Sequence, residues 1–295
     1  MHRVARIFGR IGLILALGVL LCLRTAFVQA GEAFIPPKYP WHLADVWWRC
    51  TAPNADVREI SIDFSIAGEI ADSVELYVAP LGLIKLNATS FYGGLQTSIS
   101  GWPSKKLRTR QRIGRGGIFS RWSTDNTPIA LDYADGGPDT HYEAADYEKN
   151  FISVRRKIEW RGGQYTYVVR RVGQGTDAGT PYAWFGAFIV DRSTGKETPV
   201  GSLRLDGAEF RLGSAMAAFV EVYGTRSSIP KITVAFSEPR IDRRTCASSR
   251  TRSIYPSHGI PNAPRFATSA LVGDAAVVTT HPAGIRDGVA SETLH

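Results

Sequence analysis

The sequence is poor in the residues from which most catalytic centres are built. It holds three cysteines, two methionines and six histidines, and the histidines are scattered at positions 2, 42, 141, 258, 281 and 295. No serine has a glycine both two before and two after it, which excludes the strained nucleophile elbow of the α/β-hydrolases. No histidine pair frames an H-E-x-x-H motif, which excludes zincin chemistry. There is no Walker-type glycine loop. His141, in "DTHYE", is a lone loop histidine, for which solvation is the ordinary role. No segment outside the first thirty residues shows a long 3.6-residue apolar stripe, so an α-helical fold has nothing to be built on.

Those first thirty residues stand apart. "MHRVARIFGR" carries Arg3, Arg6 and Arg10 and no acid, "IGLILALGVLLCL" is unbroken apolar, and "AFVQA" ends in small residues at Val28 and Ala30. A basic start, a short greasy middle and a small-x-small exit describe a secretory signal cleaved after Ala30. The apolar run is shorter than the roughly 20 residues of a membrane span, so no stable span is expected after cleavage, although retention as an anchor stays open. The "GVLL" before Cys22 lacks the small residues of a lipobox. Removing residues 1–30 takes away four arginines and no acid. The formal charge of +8 then falls to +4, which is mild for a nucleic-acid binder. The expected location is secreted or periplasmic.

Cys22 leaves with the leader. Cys50 and Cys246 remain, an even number in an oxidising compartment, and one disulfide between them is the economical reading. Closing so long a loop stabilises by roughly 4–5 kcal/mol in the chain-entropy model.

What the sequence does have is short alternating segments. In "REISIDFSI", Ile60, Ile62, Phe64 and Ile66 point one way and polar residues the other, as in a half-buried strand. "VELYVAP", "LIKLNATSFYGGLQTSI", "GGIFSRWS", "TPIALDYA", "AFVEVYG" and "KITVAFS" continue the series. "FISVRRKIEWRGGQYTYVVRRV" reads as a hairpin turning at Gly162-Gly163, and "YAWFGAFIVDRSTGKETPVGSLRL" as another turning at "DRSTGK". "GSAMAAF" is open between strand and short helix. About ten strands separated by Gly, Asn, Asp and Ser predict an all-β protein, an antiparallel β-sandwich of jelly-roll or concanavalin-like type. The expected organisation is a signal peptide at 1–30, an extended segment at 31–56, the sandwich at 57–250 and a flexible tail at 251–295. The tail reading follows from small residues, proline and few aromatics.

Six cations, Lys105, Lys106, Arg108, Arg110, Arg112 and Arg115, fall within eleven residues between two strands. A little further on come six acids, Asp132, Asp135, Asp139, Glu143, Asp146 and Glu148. Mutual neutralisation between neighbouring loops is one reading, with each exposed pair contributing about 0–1 kcal/mol. The other is a grip for carboxylate, sulfate or phosphate groups on a polyanion. Asp135 and Asp139, in "DGGPD", offer oxygen donors for a structural calcium, against the alternative of an ordinary turn; no other cofactor is expected.

Aromatic residues are the stronger lead. Tyr92, Trp102, Trp122, Tyr133, Tyr142 and Trp184 cluster near the glycine-rich strands. Sugars stack their C–H faces on such rings while amides, carboxylates and guanidinium groups take the hydroxyls. Gln96, Arg121, Trp122, Asp132 and Trp184 are therefore the candidate glycan-binding residues, with burial of Trp122 and Trp184 in the core as the alternative. Gly93-Gly94 reads as a bulge or a close backbone approach. Hydrolysis would need two carboxylates about 5–10 Å apart. Glu75, Asp132, Glu159 and Glu221 lie in or beside strand candidates, yet form no clustered motif.

Five pieces in order carry a family resemblance: "YVAPLGLIKLNATSFYGGLQTSI", "GIFSRWSTDN", "YADGGPD", "IEWRGGQYTYVVRR" and "AWFGAFIVDRSTGKETPVGSLRL". With them, residues 59–238 resemble a bacterial secreted domain family of unknown function found beside carbohydrate-active modules. The resemblance implies a concanavalin-type sandwich and assigns no catalytic residue. The basic insertion at 105–115 and the proline-rich ends depart from it. The first expectation is a non-catalytic glycan-binding or envelope-associated module, with a polysaccharide or envelope component as partner. A polysaccharide-degrading hydrolase or lyase with an unrecognised carboxylate pair is the second. A structural envelope protein using its charged loops is the third.

Overall fold

The computed structural model describes residues 41–50, 56–68, 70–146, 149–223, 228–246, 248–256, 266–282 and 289–294. The expected leader at 1–30 and Glu148 lie outside the described residues. The chain is built from β1 (Trp41–Cys50), β2 (Glu59–Ala67), β3 (Leu76–Leu86), β4 (Thr89–Gly101), β5 (Gln111–Trp122), β6 (Ala134–Asp135) and β7 (Thr140–Ala145). Then follow β8 (Phe151–Lys157), β9 (Gly163–Asp177), β10 (Thr180–Asp191), β11 (Glu197–Asp206), β12 (Ala215–Val222) and β13 (Thr233–Phe236). The C-terminal part adds β14 (Arg240–Ile241), β15 (Arg244–Thr245), β16 (Ser248–Ile254), β17 (Ala267–Val272), β18 (Ala275–Thr280) and β19 (Ser291–Thr293).

These strands make two large antiparallel sheets packed face to face, so the all-β sandwich is as expected. One sheet has nine strands in the order β19-β16-β1-β12-β3-β4-β5-β8-β7. The other runs β17-β18-β13-β2-β9-β10-β11-β6, with β14 and β15 attached beside β2. Alternation sorts the side chains. Ile60, Ile62, Phe64 and Ile66 of β2 face the interior with Tyr167 of β9 and Phe185 of β10. From the nine-stranded sheet they meet Phe91, Leu95, Phe119, Val154 and Val220. Fully burying a side chain of this size stabilises by roughly 1.5–3 kcal/mol relative to leaving it exposed. Gly93 permits a close approach between the sheets. A Cβ there would stand 1.9 Å from the Tyr167 hydroxyl, which donates to the Ile118 carbonyl at 2.8 Å.

Three expectations change and one open reading closes. The stretch 151–172 is not a hairpin, because β8 lies in one sheet and β9 in the other. The connection between them buries Trp160, whose indole N–H donates to the Gln96 carbonyl at 3.0 Å, so it spans the layers where a two-residue turn would return the chain to the same sheet. "GSAMAAF" enters strand β12, with Met216, Ala218, Val220 and Val222 buried in the core. The lead at 31–56 is no separate segment in its described part, since β1 sits inside the nine-stranded sheet between β12 and β16. The stretch 251–295 is not simply a flexible tail: β17 and β18 extend the ten-stranded sheet, and β19 extends the other. In β18 the small residues Ala276, Val278 and Thr280 alternate inward, so the strand needs no aromatic to bury a face.

Charge holds the shorter strands. Both terminal nitrogens of Arg240, on β14, donate to the Asp63 carboxylate of β2 at 2.8 Å. These bonds, with one from Thr166, hold the Asp63 carboxyl below the usual carboxylate range against the opposing effect of burial.

Cys50 and Cys246 form the expected disulfide, with Cα atoms 5.2 Å apart and a sequence separation of 196. It joins the end of β1 to the connection between β15 and β16. The double substitution Cys50→Ala/Cys246→Ala lowers unfolding free energy by about 3–5 kcal/mol. Urea titration of the oxidised protein against the variant checks this, and equal midpoints would refute it.

Candidate functional site

The nine-stranded sheet has a second apolar face, turned away from the sandwich interior. On it Tyr77, Ala79, Tyr92, Ile99, Ile118 and Phe219 form a cluster separate from the main core, with Trp122 and Tyr223 packed beside it. Above this cluster lies a cavity of about 420 Å³. That volume falls within the roughly 300–1,000 Å³ of small-ligand pockets. Its walls come from β1, β12, β3, β4, β5 and β8, the middle of the sheet.

The floor is a run of stacked rings. The His42 ring stacks on Phe219 at 4.0 Å between centroids, and Phe219 meets Tyr77 edge-on at 5.2 Å. Tyr77 lies 6.5 Å from Tyr92, and Tyr92 lies 4.5 Å from Trp122. These residues stand on β1, β12, β3, β4 and β5, so the run crosses four strand spacings, about 19 Å. Gly82 makes room for it, since a Cβ there would lie 2.3 Å from the Phe219 ring.

The two ends of the run differ in charge. At the β1–β12 end, the His42 Nδ1–H donates to Asp45 at 2.7 Å, and Nε2 lies 3.9 Å from Glu221. His42 and Glu221 are direct cross-strand partners, which puts their side chains on one face. Tyr223 completes this side. Its hydroxyl donates to the Ser98 carbonyl and accepts from the Ser98 N–H, both at 3.0 Å, and burial pushes its pKa up to about 12. It therefore stays a neutral fixed group at any working pH.

At the β5–β8 end, the wholly buried Glu143 of β7 pairs with Arg110 and with Arg155 of β8. Arg110 also donates to Ser100 Oγ at 2.9 Å, and Arg155 to the Ser100 carbonyl at 2.6 Å. Two guanidinium groups around one carboxylate leave this end net positive. Both arginines, and Ser100, line the cavity.

Of the expected glycan-binding residues, Gln96 and Trp122 line the cavity. The other three do not. Arg121 follows the opposite parity of β5 and points between the sheets, where it donates to the Arg204 carbonyl and stacks 5.5 Å from the Tyr133 ring. Burial lowers its pKa. Asp132 sits in a 3-10 turn, its side chain 91% exposed and 3.8 Å from Lys105. Trp184 is on β10 of the other sheet, opposite Gly173.

The basic run is divided too. Lys105 pairs with Asp132, Arg110 with Glu143 and Arg115 with Asp72. Arg112 and Arg115 belong to β5 itself, which corrects the expectation that the whole run is a loop. Lys106, Arg108 and Arg112 are exposed and make no ion pair among the described residues. Arg108 lies over the Trp102 ring at 5.3 Å. Asp135 pairs with Ser202 across β6 and β11, and Asp139 takes a turn conformation at φ 63°. Among the described residues no group of three or more His, Cys, Asp or Glu side chains is placed to hold a metal ion. No described helix is long and apolar enough to cross a membrane.

His42, Asp45, Phe219, Tyr77 and Arg155 were not singled out from the sequence. The signal in β1 is broken by an irregularity of register between His42 and Ala44, which disrupts the polar alternation. Compared with known proteins, the chain matches no family model and no curated protein.

Glu143→Ala leaves Arg155, only 9% exposed, without its countercharge, and costs about 3–5 kcal/mol. Arg110→Ala, at a side chain 49% exposed, costs no more than about 1 kcal/mol. Denaturant unfolding of both variants checks the order, and the reverse order would refute it.

Proposed function

We propose that the protein is an exported glycan-binding module and that the cavity on the outer face of the nine-stranded sheet is its binding cleft. The observation that carries this reading is the aromatic run from Phe219 through Tyr77 and Tyr92 to Trp122, in a cavity edged by polar side chains. Pyranose rings present apolar C–H faces to aromatic rings and hydroxyls to their sides. Gln96, Asp45, Glu221 and Ser100 supply donors and acceptors at those sides. The Trp47 indole N–H, also on the cavity wall, has no acceptor among the described residues and suits a sugar hydroxyl. Export is supported by the leader-like N-terminus and by a disulfide, which persists in oxidising compartments.

One observation favours a second reading, cleavage of the bound chain. A histidine oriented by a carboxylate, with a second carboxylate across 3.9 Å, is an acid–base arrangement. Release of reducing ends, or of unsaturated ends, from a bound polysaccharide would support it.

Trp122→Ala weakens binding to a polysaccharide by about tenfold, the equivalent of roughly 1.4 kcal/mol. Trp184→Ala, on the opposite sheet, leaves it unchanged. Affinity electrophoresis through polysaccharide-containing gels reads both. Equal effects from the two variants would refute the assignment of the cleft.

A further inference from the structure

We infer that the ligand of this cleft is an acidic glycan, with its carboxylate or sulfate groups held at the β5–β8 end. The inference rests on the cleft reading above and adds which class of chain the cleft selects.

The cleft is polarised along its length. At the β1–β12 end its charged groups are carboxylates, Asp45 and Glu221, with His42 between them. Such groups accept from hydroxyls and repel anions. At the other end stand Arg110 and Arg155, whose shared partner Glu143 cancels only one of two positive charges. Further cations continue outward from Arg110. Arg112 lies directly opposite Ser100 in the β4–β5 ladder, and cross-strand partners share a face. Ser100 lines the cavity, and the ladder shifts register between it and Ile99, so Arg112 stands beside the cavity wall next to Ile113, which packs on the outer cluster. Arg108 and Lys106 precede Arg110 in the exposed connection from β4 to β5.

Neutralisation accounts for half of this basic run and fails for the other half. Lys105, Arg110 and Arg115 have carboxylate partners. Lys106, Arg108 and Arg112 have none among the described residues, and they flank in sequence the one basic residue of the run that lines the cavity. Like charges placed side by side repel, and the Trp102 ring under Arg108 offsets this only in part. A bound anion supplies the missing charge, and guanidinium groups match the planar geometry of carboxylate and sulfate. A glycan lying on the aromatic run thus meets its acidic substituents at one end only, which fixes its direction.

The test uses three soluble polymers: polygalacturonate for carboxylate, dextran sulfate for sulfate ester and unmodified dextran for a neutral chain. Binding is followed by calorimetry at low and high salt. The native protein binds at least one acidic polymer at least tenfold more tightly than dextran, and added salt weakens that binding. The exposed triple variant Lys106→Ala/Arg108→Ala/Arg112→Ala loses about tenfold in affinity for that polymer and most of its salt dependence. A charge-matched variant on the other sheet, Lys196→Ala/Arg243→Ala/Arg244→Ala, keeps both. The preferred acidic polymer tells carboxylate from sulfate.

Equal losses in the two triple variants would overturn the inference, because net charge alone would then explain the effect. So would tighter binding to dextran than to either acidic polymer, or an unchanged rim variant. If Trp122→Ala abolishes binding while the rim variant does not, the cleft stands and the acidic ligand falls. If the rim variant abolishes binding while Trp122→Ala does not, the cleft reading falls. Binding of none of the three polymers overturns both.

Discussion

A β-strand alternates its side chains between two faces, and in the nine-stranded sheet both faces carry aromatics. On one side Phe91, Phe119 and Trp48 join the sandwich core. On the other, Tyr92, Tyr77 and Phe219 form a cluster of their own. The site depends on this double use. A sheet with one apolar face needs a partner layer on that face only, and its other face is ordinarily polar. Here the second face holds rings in contact with one another, closed off at the edges by charged groups. The core fixes the strand positions, and the strand positions set the ring spacing across the cleft.

The same alternation separates residues that are neighbours in sequence. Arg121 and Trp122 are adjacent, yet one is buried between the sheets and the other lines the cavity. Arg121 serves the interior, reaching the Arg204 carbonyl beneath Tyr133. Arg155 and Arg156 divide in the same way. Arg155 lines the cavity and pairs with Glu143, while Arg156 donates to the Gly136 carbonyl and Thr140. Buried guanidinium groups on both sides of one sheet are costly unless each finds acceptors. Glu143 meets that need on the cleft side, and backbone carbonyls and a threonine hydroxyl meet it on the inner side.

The fold class was legible because β2 alternates cleanly and the short strand-like runs after it, β10 and β11 among them, are divided by plain turn residues. The disulfide was legible from cysteine number once the leader-like first thirty residues are set aside. The crossover at 158–162 was not, because Gly162-Gly163 looks like a turn and only the burial of Trp160 shows otherwise. The C-terminal strands were hidden by composition, since β17 and β18 carry no aromatic and each opens on alanine, which strands disfavour. For the site, Gln96 and Trp122 could be chosen by residue type, but parity could not be assigned through the register shifts of β4. Arg121, Asp132 and Trp184 were chosen on the same grounds and lie elsewhere. His42, Asp45 and Glu221 come together only because β1 and β12 pair, a contact across about 180 residues of chain that no local pattern announces.

The central claim is that the outer face of the nine-stranded sheet is the ligand-bearing surface. A crystal structure of the protein with a bound oligosaccharide tests it most directly. The account predicts sugar rings stacked over Phe219, Tyr77, Tyr92 and Trp122, with the chain running across the strands. An oligosaccharide bound instead on the ten-stranded sheet beside Trp184 would contradict it.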